Sequence, residues 1–178
     1  MKLGNVIPLI VFFLIGISLA YVTNLSSKAS FMPSMVGTKV EVFQTQELLT
    51  DAGFSSNDFA ANDITILNLF ASWCVSCKAE HELIKDLSQK GYNVYGLDVA
   101  DSKQNAKAYL QEHGNPYKKI GFDPRQRVAI ALGATGVPET FVIDKQGMIY
   151  FHQRGMLDKD IVERQLLPVI EGMKKKSK

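Results

Sequence analysis

No charged residue occurs from Leu3 to Ser27, a stretch long enough to cross a bilayer as a helix. Beyond it the apolar pattern changes period several times. ITILNLFAS (Ile64 to Ser72) is nearly continuously apolar and rich in β-branched residues, which predicts a central strand covered on both faces. VSCKAEHELIKDLSQ (Val75 to Gln89) places Leu83, Ile84 and Leu87 on one helical face, and Gly91 ends the helix. Tyr92 to Ala100 predicts a second strand, and Ser102 to His113 a second helix with Ser102 as N-cap and Gly114 after it. Lys119 to Phe122 is a short run before the turn signal Asp123-Pro124, and Arg127 to Leu132 a short helix. Thr140 to Asp144 and Met148 to Gln153, joined through Lys145-Gln146-Gly147, predict a hairpin. Asp158 to Lys176 predicts a last amphipathic helix, bent at Pro168. Strands alternating with helices, then a hairpin and a helix, predict an α/β domain with a central mixed sheet flanked by helices. The pattern is weakest from Val36 to Asp63, where a strand is expected over Val40 to Phe43 and a loop over Phe54 to Phe59.

This pattern divides the 178 residues into an N-terminal segment (1–22), a Ser-rich linker (23–35) and one domain (36–178). The N-terminal segment reads as an uncleaved transmembrane anchor, because the apolar run continues through Tyr21 and Val22. Ser18-Leu19-Ala20 keeps a cleaved signal segment as the alternative. Both place the domain outside the cytoplasm. A domain of ~140 residues buries enough surface to need no disulfide staples. The chain is 46% hydrophobic with a formal net charge of +2, which argues against nucleic acid as the main partner. The lysine cluster from Lys174 to Lys178 reads as a solvated tail.

The chemistry concentrates in LNLFASWCVSCKAEH, which holds the chain's two cysteines, Cys74 and Cys77. Cys74 is expected at a helix N-terminus, where unpaired N–H groups and the macrodipole favour a thiolate. Cysteines in such C-x-x-C motifs ionise well below the ordinary thiol range. The spacing is expected to leave the Cys74 sulfur exposed and activated, and to put Cys77 one turn inside, shielded, where it can resolve a mixed disulfide. A purely structural bridge would close too short a loop to stabilise much. Zinc needs four ligands, and His81, His113 and His152 are scattered, so no metal site is expected. Haem attachment would need His where Lys78 stands. GATGVPETFVID supplies a second signal: a Gly-rich turn, Val137-Pro138 and then a strand, the arrangement of a cis-proline loop.

Together, WCVSC (Trp73 to Cys77) and Val137-Pro138-Glu139-Thr140 before a strand resemble the thioredoxin superfamily. More narrowly, NLFASWCVSCKAEH, GNPY, GATGVPETFVID, MVGTKV and the N-terminal anchor resemble the membrane-anchored periplasmic thiol:disulfide interchange proteins of cytochrome c maturation, the DsbE/CcmG family. The resemblance covers roughly Val36 to the end and matches poorly from Lys39 to Asp63. It implies a thioredoxin-like fold with Cys74 attacking and Cys77 resolving, and a substrate groove lined by Trp73, Pro138, Glu139 and Thr140. Glu80 and Glu139 would be acidic residues near the cysteines that oppose thiolate formation. Asn68 takes the place where ordinary thioredoxins carry a buried Asp. Val75-Ser76 departs from the Pro that often follows the first cysteine, which leaves the reduction potential open.

The same resemblance implies a reductase of apocytochrome c or of a maturation helper, re-reduced by a membrane donor of the DsbD or CcdA type. It implies a single-pass protein of the bacterial inner membrane with its domain in the periplasm, and no organic cofactor. A general oxidase or isomerase, and a copper- or haem-delivery module using the two thiols as ligands, remain as alternatives.

Overall fold

The computed structural model describes residues 7–26, 34–50 and 52–176, with the side chains of residues 11–20 in the first helix. The linker expected over 23–35 falls largely outside these residues, as do Lys2, Lys28 and residues 177 and 178 of the C-terminal tail. The chain forms two compact units, 1–34 and 35–178. The first contains helix α1 (Ile7–Ser26). Among its described side chains, Phe12, Phe13, Leu14 and Ile15 are apolar and exposed. Among the fully described residues, which include only 11–20 of α1, no helix is long and apolar enough to cross a membrane.

The second unit is built on a seven-stranded sheet. Its strands are β1 (Gln44–Glu47), β2 (Gly53–Ser55), β3 (Ile64–Phe70), β4 (Val94–Val99), β5 (Lys119–Asp123), β6 (Glu139–Asp144) and β7 (Ile149–Arg154). They lie in the order β2-β1-β5-β4-β3-β6-β7. The three middle strands β5, β4 and β3 are parallel, and β6, β7, β1 and β2 extend them antiparallel. The parallel crossovers carry helices α2 (Val75–Gln89) and α3 (Lys103–His113). A short α4 (Arg127–Ala131) follows β5. The chain ends in α5 (Lys159–Ile161), a π-helical turn (Val162–Leu166) and α6 (Leu167–Lys176).

Alternation along the strands feeds two cores. Ile66 and Phe70 of β3 pack with Ile84, Leu87, Tyr109, Leu110, Leu166 and Ile170 on one face. Leu67 and Leu69 of the same strand pack with Leu97, Val99, Phe141, Ile143, Val128 and Leu132 on the other. A strand buried on both faces reads as a continuous apolar run, which is why β3 stands out in the sequence. Where Pro168 predicts a bend, the structure has the π-helical turn: Leu167 N–H reaches back to Val162 O. Pro168 has no N–H for the carbonyl four residues before it, and the ladder changes register just upstream.

The expectations for 36–63 need correction. Val40 to Phe43 is not a strand: Val40 and Phe43 are buried while Glu41 and Val42 point outward. Lys39 makes an isolated bridge to Met148, and the first continuous ladder begins one residue after Phe43, in β1, whose QTQE has no apolar alternation to announce it. Phe54 to Phe59 is not a loop but β2 followed by a 3₁₀ helix (Ser56–Ala61). Phe54 and Phe59 are fully buried, and with Phe43 and Tyr95 they form an aromatic cluster with centroids 5.7–6.4 Å apart.

This cluster depends on a close approach at β5. A Cβ added to Gly121 would lie 2.6 Å from Phe54 Cδ1 and 2.9 Å from Leu97 Cδ1. Both neighbours are fully buried and cannot move aside. Gly121→Ala is therefore expected to lower the unfolding free energy by about 1–3 kcal/mol, read from urea midpoints. An unchanged midpoint would show that the cluster relaxes around the methyl group.

Candidate active site

β3 ends at Phe70, the chain turns through Ala71-Ser72-Trp73, and α2 starts at Val75. Cys74 is therefore the N-cap. Its Sγ accepts the Cys77 N–H at 3.1 Å, taking the role that an oxygen fills in an ordinary cap. The Ser76 hydroxyl lies 3.5 Å from the same sulfur. Cys74 and Cys77 form a disulfide. The expected contrast in exposure is not found: Cys74 is 4% exposed and Cys77 2%. Both belong to the core cluster, and Val137 packs against it. The flanking Trp73 and Val75 stand outward instead, at 58% and 82% exposed. The two sulfurs differ by position, one at the cap and one a turn inside.

Trp73 is held from the side. Its indole Nε1–H donates to Ala100 O at 3.0 Å. Ala100 has φ +52°, a left-handed conformation that a non-glycine residue rarely adopts. Asp101 Oδ2 accepts the Ser72 N–H at 2.6 Å, so the segment after β4 fixes the approach to Cys74.

Beneath the cysteines lies a buried polar network centred on Asn68 of β3. Its Nδ2 donates to Glu80 Oε1 at 2.8 Å and to Thr140 Oγ1 at 3.1 Å, and its Oδ1 accepts the Tyr117 O–H at 2.7 Å. Glu80 Oε2 accepts the Leu157 N–H at 2.7 Å. Glu80 lies on α2 one turn beyond Cys77 and is buried, not a solvated first-turn carboxylate. Burial pushes its carboxyl up to about 7, against the pull of the Leu157 and Asn68 hydrogen bonds. Next to it, His81 is fully engaged. Gly114 O can only accept, so His81 Nε2 donates to it at 3.0 Å, and Nδ1 accepts the Tyr109 O–H at 2.8 Å. His81 thus pins α2 to the end of α3.

The Val137–Pro138 bond is cis. The next residues, Glu139 and Thr140, open β6 and are both buried. Glu139 Oε1 accepts the Thr135 N–H and O–H, each at 2.7 Å, and the Gly136 N–H at 3.1 Å. Its Oε2 lies 2.7 Å from His152 Nε2. Burial raises the Glu139 pKa, but the hydrogen bonds from His152 and Thr135 outweigh it and hold the carboxyl below its ordinary value. β6 lies antiparallel to β3, with Thr140 opposite Asn68, so the proline loop stands at the end of the sheet from which Cys74 emerges.

Two residues of this region escaped sequence reasoning. Asp98 of β4 is fully buried, and neither carboxylate oxygen finds a hydrogen-bond donor. Burial and the charges of Asp101 and Asp123 push it up to about 8. As the protonated acid it can donate to Asp101, the residue that holds Ser72. An acidic residue inside the apolar run YNVYGLDVA was the available signal. His152 carries no such mark, because the hairpin strand that contains it is only partly covered.

Residues 36–152 match the AhpC/TSA family. The thiol:disulfide interchange protein DsbE of Escherichia coli (strain K12) is 32% identical over 182 residues, which cover 96% of this chain and 95% of that protein. The chain belongs to the DsbE family of thiol:disulfide interchange proteins. The HelX thiol:disulfide interchange protein of Rhodobacter capsulatus is 32% identical over 142 residues, 79% of this chain and 81% of that one. Among solved structures, a DsbF homologue from Corynebacterium diphtheriae superposes with a TM-score of 0.63 at 27% identity, covering 75% of this chain and 85% of that one. This DsbE-family chain is thus a thiol:disulfide oxidoreductase with the thioredoxin-like fold.

The buried carboxyls of this DsbE-family domain make its stability depend on pH. An acid whose pKa is raised by folding binds a proton more tightly in the folded state. Stability is then lost as pH rises from the unfolded to the folded pKa. For Glu80, from the ordinary 4.5 to about 7, the loss is roughly 3 kcal/mol. In the disulfide form, Glu80→Gln is expected to flatten the fall in denaturation midpoint across that window. Asp98→Asn is expected to remove the part that continues to about 8. A wild-type midpoint that rises from acid to neutral pH would contradict both.

Proposed function

We propose that this protein is a membrane-anchored periplasmic reductase of cytochrome c biogenesis. In this reading it reduces the disulfide of an apocytochrome c haem-binding C-x-x-C-H, or of a maturation helper. The observation that carries the reading is the placement of Cys74: a helix-capping sulfur that receives a backbone N–H, with Cys77 disulfide-linked to it one turn inside. A thiolate at that cap keeps the Cys77 N–H bond and gains the field of α2.

In the reaction, the Cys74 thiolate attacks one sulfur of the substrate disulfide. The other substrate sulfur leaves as a thiolate and takes up a proton. Cys77, once deprotonated, attacks Cys74 Sγ in the mixed disulfide and expels the second substrate thiolate. The substrate gains two electrons and the Cys74–Cys77 disulfide forms. A membrane electron donor of the DsbD or CcdA type returns the electrons by the same exchange chemistry, since the compartment is oxidising. Trp73, Pro138, Glu139 and Thr140 would form the groove that receives the substrate chain. Glu80, charged only as pH passes about 7, would oppose the thiolate least in acid and more in alkali.

Helix α1 would be the anchor. Its 20 residues span about 30 Å at 1.5 Å per residue, the thickness of the hydrocarbon core. The location in the bacterial inner membrane, with a single pass and the domain in the periplasm, rests on this helix and on the family.

Cys77→Ala tests the reading. It removes the releasing thiol and leaves the cap that activates Cys74. A mixed disulfide should therefore accumulate in cells and dissolve on addition of reductant. An apocytochrome c or maturation helper in the trapped band supports the specialised reductase. A broad spread of secreted proteins would mean a general oxidase or isomerase. No trapped partner, with copper or haem bound to the wild type, would mean a delivery module.

A further inference from the structure

Behind the Val137–Pro138 loop, six residues close a ring that sulfur exchange does not itself require. Met35 is the first residue of the domain unit, and its side chain lies against Gly133, where an added Cβ would come within 2.5 Å of Met35 Sδ. Gly133 has φ +69°, so the turn is built for a residue without a side chain. The Met35 N–H faces His152 Nδ1 at 3.3 Å. A backbone N–H can only donate, which assigns the lone pair to Nδ1 and the proton to Nε2. Nε2–H then donates to Glu139 Oε2 at 2.7 Å. Through Oε1, Glu139 grips Thr135 and Gly136, the residues that lead into Val137. The His152 side chain is wholly buried and its ring stacks on Phe141, with centroids 4.1 Å apart.

The two oxygens of Glu139 have separate tasks. Oε1 organises the loop, and Oε2 takes its hydrogen bond from His152. Without His152 a buried carboxylate oxygen would lack that donor, and the group would have to turn or take up a proton to satisfy it. Either change loosens the grip on Thr135 and Gly136. We propose that His152 is a positioning residue: it holds Glu139 in the orientation that fixes the 133–138 loop, and it ties that loop to Met35, where the chain enters the domain. This rests on the reading that the proline loop meets the substrate. The effect should fall on substrate binding and leave the sulfur chemistry alone, because His152 acts through Glu139 and neither cysteine is in the ring.

The test compares full-length wild type, His152→Phe and His152→Gln in detergent. Phe keeps the stacking surface and loses the donor, while Gln restores an N–H. The readout is single-turnover reduction of a disulfide-bonded C-x-x-C-H peptide across a range of concentrations. His152→Phe should raise the half-saturating concentration about tenfold, the scale of one charge-assisted hydrogen bond. The limiting rate and the alkylation rate of reduced Cys74 should stay near wild type, and Gln should recover most of the binding. Hydrogen–deuterium exchange over residues 133–138 reads the ring without substrate: faster with Phe, near wild type with Gln. Should His152→Phe fail to fold, His152→Asn, whose amide is too short to reach Glu139, carries the same expectation. Unchanged half-saturation and exchange in the donor-less variant would overturn the proposal, as would a limiting rate that falls in step with binding or a Gln variant no better than Phe. If exchange responds while wild type leaves the peptide oxidised, the positioning role stands and the reductase reading fails.

Discussion

Asn68 is buried in the middle of the central strand, out of reach of bulk water. It must therefore be bonded by protein, and each partner comes from a different element: Glu80 from α2, Thr140 from β6 and Tyr117 from the segment before β5. These bonds set where α2 sits on the sheet, and so where its N-terminus presents Cys74. They also join that helix to the strand that carries the proline loop. Removing one partner would leave another buried polar atom unpaired, so the network holds together as a unit. The cap at Cys74 and the loop at Pro138 belong to different parts of the chain, and this joint aligns them.

The joint brings a competing electrostatic demand into the site. A helix N-terminus favours a negative sulfur, while a buried carboxyl one turn beyond Cys77 disfavours a second negative charge nearby. Burial relieves the conflict by keeping Glu80 partly protonated near neutrality. Asp98 extends the theme on the Trp73 side, where three carboxyls can coexist because one holds a proton. Glu139 differs: donors from Thr135, Gly136 and His152 surround it, and it remains charged. Three buried acids near one site are thus set apart by hydrogen-bond supply.

Much of this was readable from pattern alone where burial is two-sided and periodic. β3, α2, β4 and α3 fall within a few residues of their expected bounds, because continuous apolar runs, Ser102 and glycines mark them. Trp73-Cys74 and Cys77 were legible because so few residue types carry this chemistry. β1 and β2 were not, since four polar residues and a three-residue edge strand carry no periodicity, and the aromatic cluster that holds them joins Phe54 of β2 to Phe43 and Phe59 outside both strands. The burial of Cys74 was missed for a related reason. Sequence marks a helix start but not which distant residues share its core, here a cluster that includes Tyr109, Tyr117 and Leu157 and against which Val137 also packs. His152 was invisible because its role depends on a contact with Met35, 117 residues distant.

In the proposed reading the cap of α2 makes Cys74 the reactive thiol even though both cysteines are covered. This is tested most directly by treating the reduced full-length protein with one equivalent of iodoacetamide over a range of pH and mapping the label by mass spectrometry. The account predicts label on Cys74 first, persisting below about pH 7, as a helix-capping thiolate requires. Label on Cys77 first, or on Cys74 only above about pH 8, as for an unperturbed thiol, would contradict it.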